Sequence, residues 1–175
     1  MEKKFIMTAF GKDRPGIVAD VTQVIYENGC NLEDSSMALL STEFTLMLIF
    51  SGSENDLENR LQNECRRLEI EKGISVFIRP LGEAPKAASQ KMRNRTLRVE
   101  GQDKAGIVYR VSRFLADHHI NIDDLRSKRS FMAQSGTPLY AMRVHIQIPP
   151  EVSLDALDEG LGKVADELNV DITFD

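Results

Sequence analysis

The chain has 175 residues, 42% of them hydrophobic and 28% charged, and its 27 acidic against 22 basic side chains give a net charge of -5. That balance argues against broad contact with a nucleic-acid backbone, which needs a basic face, and no apolar run approaches the roughly 18 residues of a membrane span. Cys30 and Cys65 lack any metal-ligand spacing and read as small apolar residues, and no cofactor is expected.

Met1-Glu2-Lys3-Lys4 leads straight into a strand-like run, Phe5 to Phe10, without the apolar core of a secretory leader, which predicts a cytoplasmic protein. The run ends in Gly11-Lys12-Asp13-Arg14-Pro15-Gly16-Ile17-Val18. From there Ile17, Val18, Val21, Val24 and Ile25 fall at offsets 0, 1, 4, 7 and 8, a single apolar stripe on a helix. Asp13 is placed to cap the first turn, Pro15 suits a turn whose amides have no helical partner, and Gly29 and Asn31 suit the geometry that ends the helix. Ser36 to Leu40 reads as a strand, Ser41 to Glu43 as a turn and Phe44 to Phe50 as the returning strand. Ser51 to Asn55 breaks the pattern and supplies a cap. Leu57, Leu61, Cys65 and Leu68 then recur at helical spacing, Gly73 stops that helix, and Ile74 to Ile78 gives a last strand before Pro80. The order is βαββαβ, a ferredoxin-like unit.

Residues 82–95 carry little apolar weight and read as a linker between a first domain, 1–81, and a second, 96–175. The second domain repeats the first. Leu97 to Val99 leads into Gly101-Gln102-Asp103-Lys104-Ala105-Gly106-Ile107-Val108, and Val111, Phe114, Leu115, Asn121 and Ile122-Asp123-Asp124 fall where Val21, Val24, Ile25, Asn31 and Leu32-Glu33-Asp34 fall in the first. Asp124 to Met132 and Leu139 to Ile148 are hairpin strands around a longer loop, Gln134 to Pro138. Leu154, Leu157, Leu161, Val164 and Leu168 stripe a helix capped near Ser153, and Val170 to Phe174 closes the sheet. The expected fold is α+β: two antiparallel four-stranded sheets, each with two helices on one face.

Chemistry-bearing patterns are sparse. Gly11-x4-Gly16 and Gly101-x4-Gly106 open like a phosphate-binding loop but lack the Lys-Ser/Thr that completes one. The adjacent His118 and His119 diverge on a helix and read as exposed helix-end residues. No carboxylate pair stands with a nucleophile, so catalysis is not expected. Arg126, Lys128 and Arg129 cluster locally and read as a solvated hairpin strand.

Asp13-Arg14-Pro15-Gly16-Ile17-Val18 at the first strand–helix turn, followed by Gly29-Cys30-Asn31-Leu32 after the helix, resembles the ACT domain. Two such units and little else look like the tandem-ACT group of glycine cleavage system transcriptional repressors. The resemblance implies a non-catalytic regulator. It would bind a small molecule, an amino acid such as glycine, between ACT units and act on a protein partner, such as a transcription factor, in control of glycine or one-carbon metabolism. It also implies a homodimer. The implied ligand-binding residues are Gly11, Asp13, Arg14, Pro15, Gly16, Ile17, Asn31 and Leu32, with Asp103, Gly106, Ile107 and Asn121 in the second copy. Helix N-terminal amides near Gly16 and Ile17 favour a carboxylate, Asn31 offers a donor and an acceptor, and Asp13 can meet an ammonium. A ligand-free ACT oligomerisation module is the alternative reading.

Overall fold

The described residues are 2–82, 91–133 and 135–174 of a computed structural model. Two units divide the chain, Met1–Pro85 and Lys86–Asp175. In the first, β1 (Lys3–Lys12), α1 (Ile17–Glu27), β2 (Asn31–Leu40), β3 (Glu43–Gly52), α2 (Leu57–Lys72) and β4 (Ser75–Pro80) follow one another. In the second, β5 (Arg93–Gln102), α3 (Ile107–Asp117), β6 (Asn121–Phe131), β7 (Pro138–Ile148), α4 (Leu154–Leu168) and β8 (Val170–Phe174) repeat the order. Sheet order is β2-β3-β1-β4 and β6-β7-β5-β8, every pairing antiparallel.

Alternation along the strands builds each core. Phe5, Met7 and Ala9 of β1 and Phe44, Leu46, Leu48 and Phe50 of β3 are buried against Ile17, Val21, Val24 and Ile25 of α1, Val18 of the expected stripe being exposed, and against Leu57, Leu61, Cys65 and Leu68 of α2. Burying each of the larger side chains contributes about 1.5–3 kcal/mol. The second core repeats this with Leu97, Val99, Val144 and Ile146 beneath Val111, Leu115, Leu157 and Leu161. Each unit thus carries a closed core of its own.

Three local readings are corrected. Asp13 and Asp103 cap no helix. A Pro15-Gly16 turn intervenes in the first copy, so the capping position falls on Gly16, with no side-chain cap, and likewise on Gly106 in the second. Gly16 sits at φ 86°, ψ -5°, the third position of a type II turn, which the Ile17 amide closes by donating to the Arg14 carbonyl at 3.3 Å. Pro15 is therefore a turn residue ahead of the helix. Asn31 does not end α1: Gly29 takes the left-handed conformation, φ 62°, and Asn31 opens β2. Ser51 to Asn55 gives no cap either, because Asp56 holds the N-cap position of α2, again without a side-chain bond. The Ser153 cap is present, its hydroxyl accepting from the Ala156 amide at 3.4 Å.

Of the expected linker, 83–90 lie outside the described residues, and Arg93 to Arg95 already belong to β5. Arg93 is drawn into the second unit by its guanidinium, which donates to the carbonyls of Pro149, at 3.1 Å, and Val152.

Candidate functional site

The first strand–helix turn is held from several directions. The Asp13 amide donates to the Thr42 carbonyl at 2.8 Å, tying the turn to the β2–β3 hairpin. Gly11 meets the end of α2: a Cβ there would stand 3.2 Å from the Gly73 carbonyl oxygen, so its glycine has a packing reason of its own. Arg14 folds over α1 and donates to Asp20 at 2.5 Å, while Lys72 of α2 lies 3.5 Å from the same carboxylate. The Arg14 hydrogen bond, chiefly, holds the Asp20 carboxyl below the usual range. Ile17 is buried in the core, and Asp13, Pro15 and Gly16 are exposed. With no side chain capping the helix, the amides of Val18 and Ala19 lack an acceptor among the described residues.

Asn31 and Leu32 lie elsewhere. Asn31 pairs with Ser51, which pairs with Lys4 at the start of β1, whereas Gly11 near the end of β1 pairs with Phe44. Seven residues of strand separate those levels, about 23 Å at 3.3 Å per residue. The second copy has the same division: Asp103, Gly106 and Ile107 stand at one end of the sheet and Asn121, level with Asn94, at the other. One unit therefore does not bring Gly11 and Asn31 together on a molecule the size of an amino acid.

Each β2-type strand opens with a bulge after that asparagine, between Leu32 and Asp34 and between Ile122 and Asp124. The skipped Glu33 pairs with Lys4 at 2.6 Å and its carboxyl is held low, first by that hydrogen bond. The skipped Asp123 accepts from the Asn121 side chain at 3.0 Å. Asp103 is engaged by Arg129 at 2.7 Å. In the second copy two of the three candidate side chains, Asp103 and Asn121, thus already have partners, whereas the exposed Asn31 side chain has none among the described residues.

A groove of about 550 Å³ runs between α1 and the start of β2, lined by Ala19, Thr22, Tyr26, Cys30 and Leu32. Among these only Leu32 was expected. Tyr26 is 82% exposed because it stands off the apolar stripe, and that off-stripe aromatic is the one sequence signal that could have marked the groove.

Two ACT domains in tandem are what this fold and its paired turns define. An ACT-domain family matches residues 3–79 and a second ACT-domain match covers residues 95–137. The glycine cleavage system transcriptional repressor of Escherichia coli (strain K12) is 30% identical over 174 residues, 94% of this chain and 85% of that protein. This chain belongs to the tandem-ACT family of that repressor. A UPF0237 protein of Streptococcus pneumoniae is 43% identical over 61 residues, 35% of this chain and 69% of its own length. A solved structure of a protein from Galdieria sulphuraria superposes at TM-score 0.80 with 25% identity, covering 100% of this chain and 98% of that one. The chain is accordingly a regulatory ACT protein. No helix of the described residues is long and apolar enough to cross a membrane.

Proposed function

We propose that this protein is a non-catalytic sensor that binds a small amino acid, glycine foremost, where two ACT units meet, and that binding alters its hold on a partner protein in transcriptional control of glycine or one-carbon metabolism. The similarity to the Escherichia coli repressor across both units carries the reading. The acidic balance favours a partner protein over direct nucleic-acid contact. The placement of the candidate residues supports the requirement for two units: the exposed turn of one, with the amides of Val18 and Ala19 for a carboxylate, would be completed by the Asn31 end of another.

Thermal shift and calorimetry against glycine, serine and the other common amino acids test this. A ligand at a hundred times its dissociation constant stabilises the folded state by about 2.7 kcal/mol, a rise of several degrees in melting temperature. Asp13→Ala and Asn31→Ala should each abolish the shift. If no amino acid acts at millimolar concentration, the ligand-free interaction module replaces the sensor. The exposed apolar side chains of β2 favour that second reading.

A further inference from the structure

The second sheet carries a row of arginines on the face away from its helices. Arg143 of β7 is the register partner of Arg126 on β6 and of Arg98 on β5, so three guanidinium-bearing residues stand side by side on three adjacent strands. With strands about 4.8 Å apart, the row spans about 10 Å. Arg98 lies between Leu97 and Val99 and Arg143 between Met142 and Val144, all four buried in the core, so both point away from it, and Arg126 shares their register row. The adjacent row reads Lys128, Ala141, Glu100. Small Ala141 leaves a floor, and a groove of about 220 Å³ opens there between Lys128, Glu100 and the three arginines.

Like charges directly opposite on a sheet destabilise it. The first unit shows that the fold does not require them: the same row there is Ser36, Met47 and Thr8. Neutralisation within the unit is partial. Arg126 pairs with Asp124 at 3.3 Å, and Arg98 has a partner, but Arg143 and Lys128 meet no carboxylate among the described residues. Four cationic side chains and one carboxylate line the groove. Arg129, adjacent in sequence, belongs to the opposite face, where it binds Asp103.

We propose that this row binds a small molecule bearing two or more linked phosphates. A guanidinium presents a planar fork that grips anionic oxygens in pairs, and linked phosphates offer enough oxygens to engage several forks at once. A single carboxylate fills only one. The groove is molecule-sized, and Glu100, Asp124 and Asp171 confine the positive charge to it, which disfavours a nucleic-acid track. This site is separate from the turns discussed above and from any amino-acid binding at them.

Calorimetric titration of the full-length protein with inorganic pyrophosphate and tripolyphosphate at low salt is the test. Binding is expected, falling with added salt. Arg143→Gln should weaken it about tenfold or more, from the loss of charge-assisted bonds, and Glu100→Gln should tighten it severalfold by removing the opposing charge. Without anion, Arg143→Gln should raise the melting temperature by about 1–3 °C, because repulsion across the row is relieved; this also shows that the variant is folded. No pyrophosphate binding at about 1 mM, or binding indifferent to Arg143→Gln and Glu100→Gln, would overturn the proposal. Citrate binding as tightly as pyrophosphate would overturn the assignment to phosphate, and an oligonucleotide that binds without competition from pyrophosphate would overturn the small-molecule occupant.

Discussion

Arg14 shows how one side chain of the family motif is committed before any ligand arrives. Its guanidinium reaches Asp20, six residues along on the first turn of α1, and Lys72 brings the end of α2 to the same carboxylate. The three groups pin the turn to both helices. Because the Asp20 pKa is lowered in the folded state, its carboxylate contributes stability that is fully present above its unfolded value of about 3.9 and is lost as the pH falls through the folded value. Asp20→Asn should therefore lower the melting temperature relative to the parent near neutral pH, and the gap should close under acid conditions. Thermal melts of both proteins between neutral pH and the acid limit of folding would read this out, and a gap unchanged across that range would show that Asp20 acts through packing instead.

At the scale of elements, two glycines of α4 behave oppositely. A Cβ on Gly160 would come within 2.6 Å of the Phe114 ring on α3, so that glycine sets the closeness of the two helices, whereas a Cβ on Gly162 meets nothing within 4 Å. Gly162→Ala should stabilise the protein by about 0.5–1 kcal/mol through helix propensity alone, while Gly160→Ala should cost about 1–3 kcal/mol through overpacking. Denaturant unfolding distinguishes the two. The elements themselves were largely legible in the chain because Ile17, Val21, Val24 and Ile25 and their counterparts keep helical period, and because a second copy repeats the pattern. The misses share a cause. β2 begins at Asn31 rather than Ser36, and its first residues, polar and exposed, give no alternation to read. β5 begins at Arg93, within a run of polar residues held by bonds to distant carbonyls rather than by burial. Asp13 reads as a cap because an aspartate just before a helix commonly accepts from its first amides; the Pro15-Gly16 turn that displaces it is written in the same six residues and outranks the cap. The arginine row had no sequence signature, since residues 98, 126 and 143 meet only through strand register.

For the whole molecule, the unsettled surface is the β2 edge. All ten of its residues are exposed, and Met37 and Leu39, paired with the buried Leu46 and Phe44, sit on the core-facing side of the sheet yet remain 47% and 55% exposed. A long edge strand with uncovered apolar side chains is a template for pairing. We expect a second copy of the chain to cover it, giving a homodimer, and sedimentation should then show reversible dimerisation that the double substitution Met37→Lys with Leu39→Lys abolishes while each unit keeps its core. A parent protein that stays monomeric at high concentration would refute this. The same variant bears on sensing. The Gly11 and Asn31 levels of the sheet stand about 23 Å apart within one unit, so an amino acid that touches both Gly11 and Asn31 needs a neighbouring unit. If that neighbour comes from the partner chain, the lysine variant should lose its glycine-induced thermal shift together with the dimer; a shift that survives in the monomer would show that the partner chain does not complete the site.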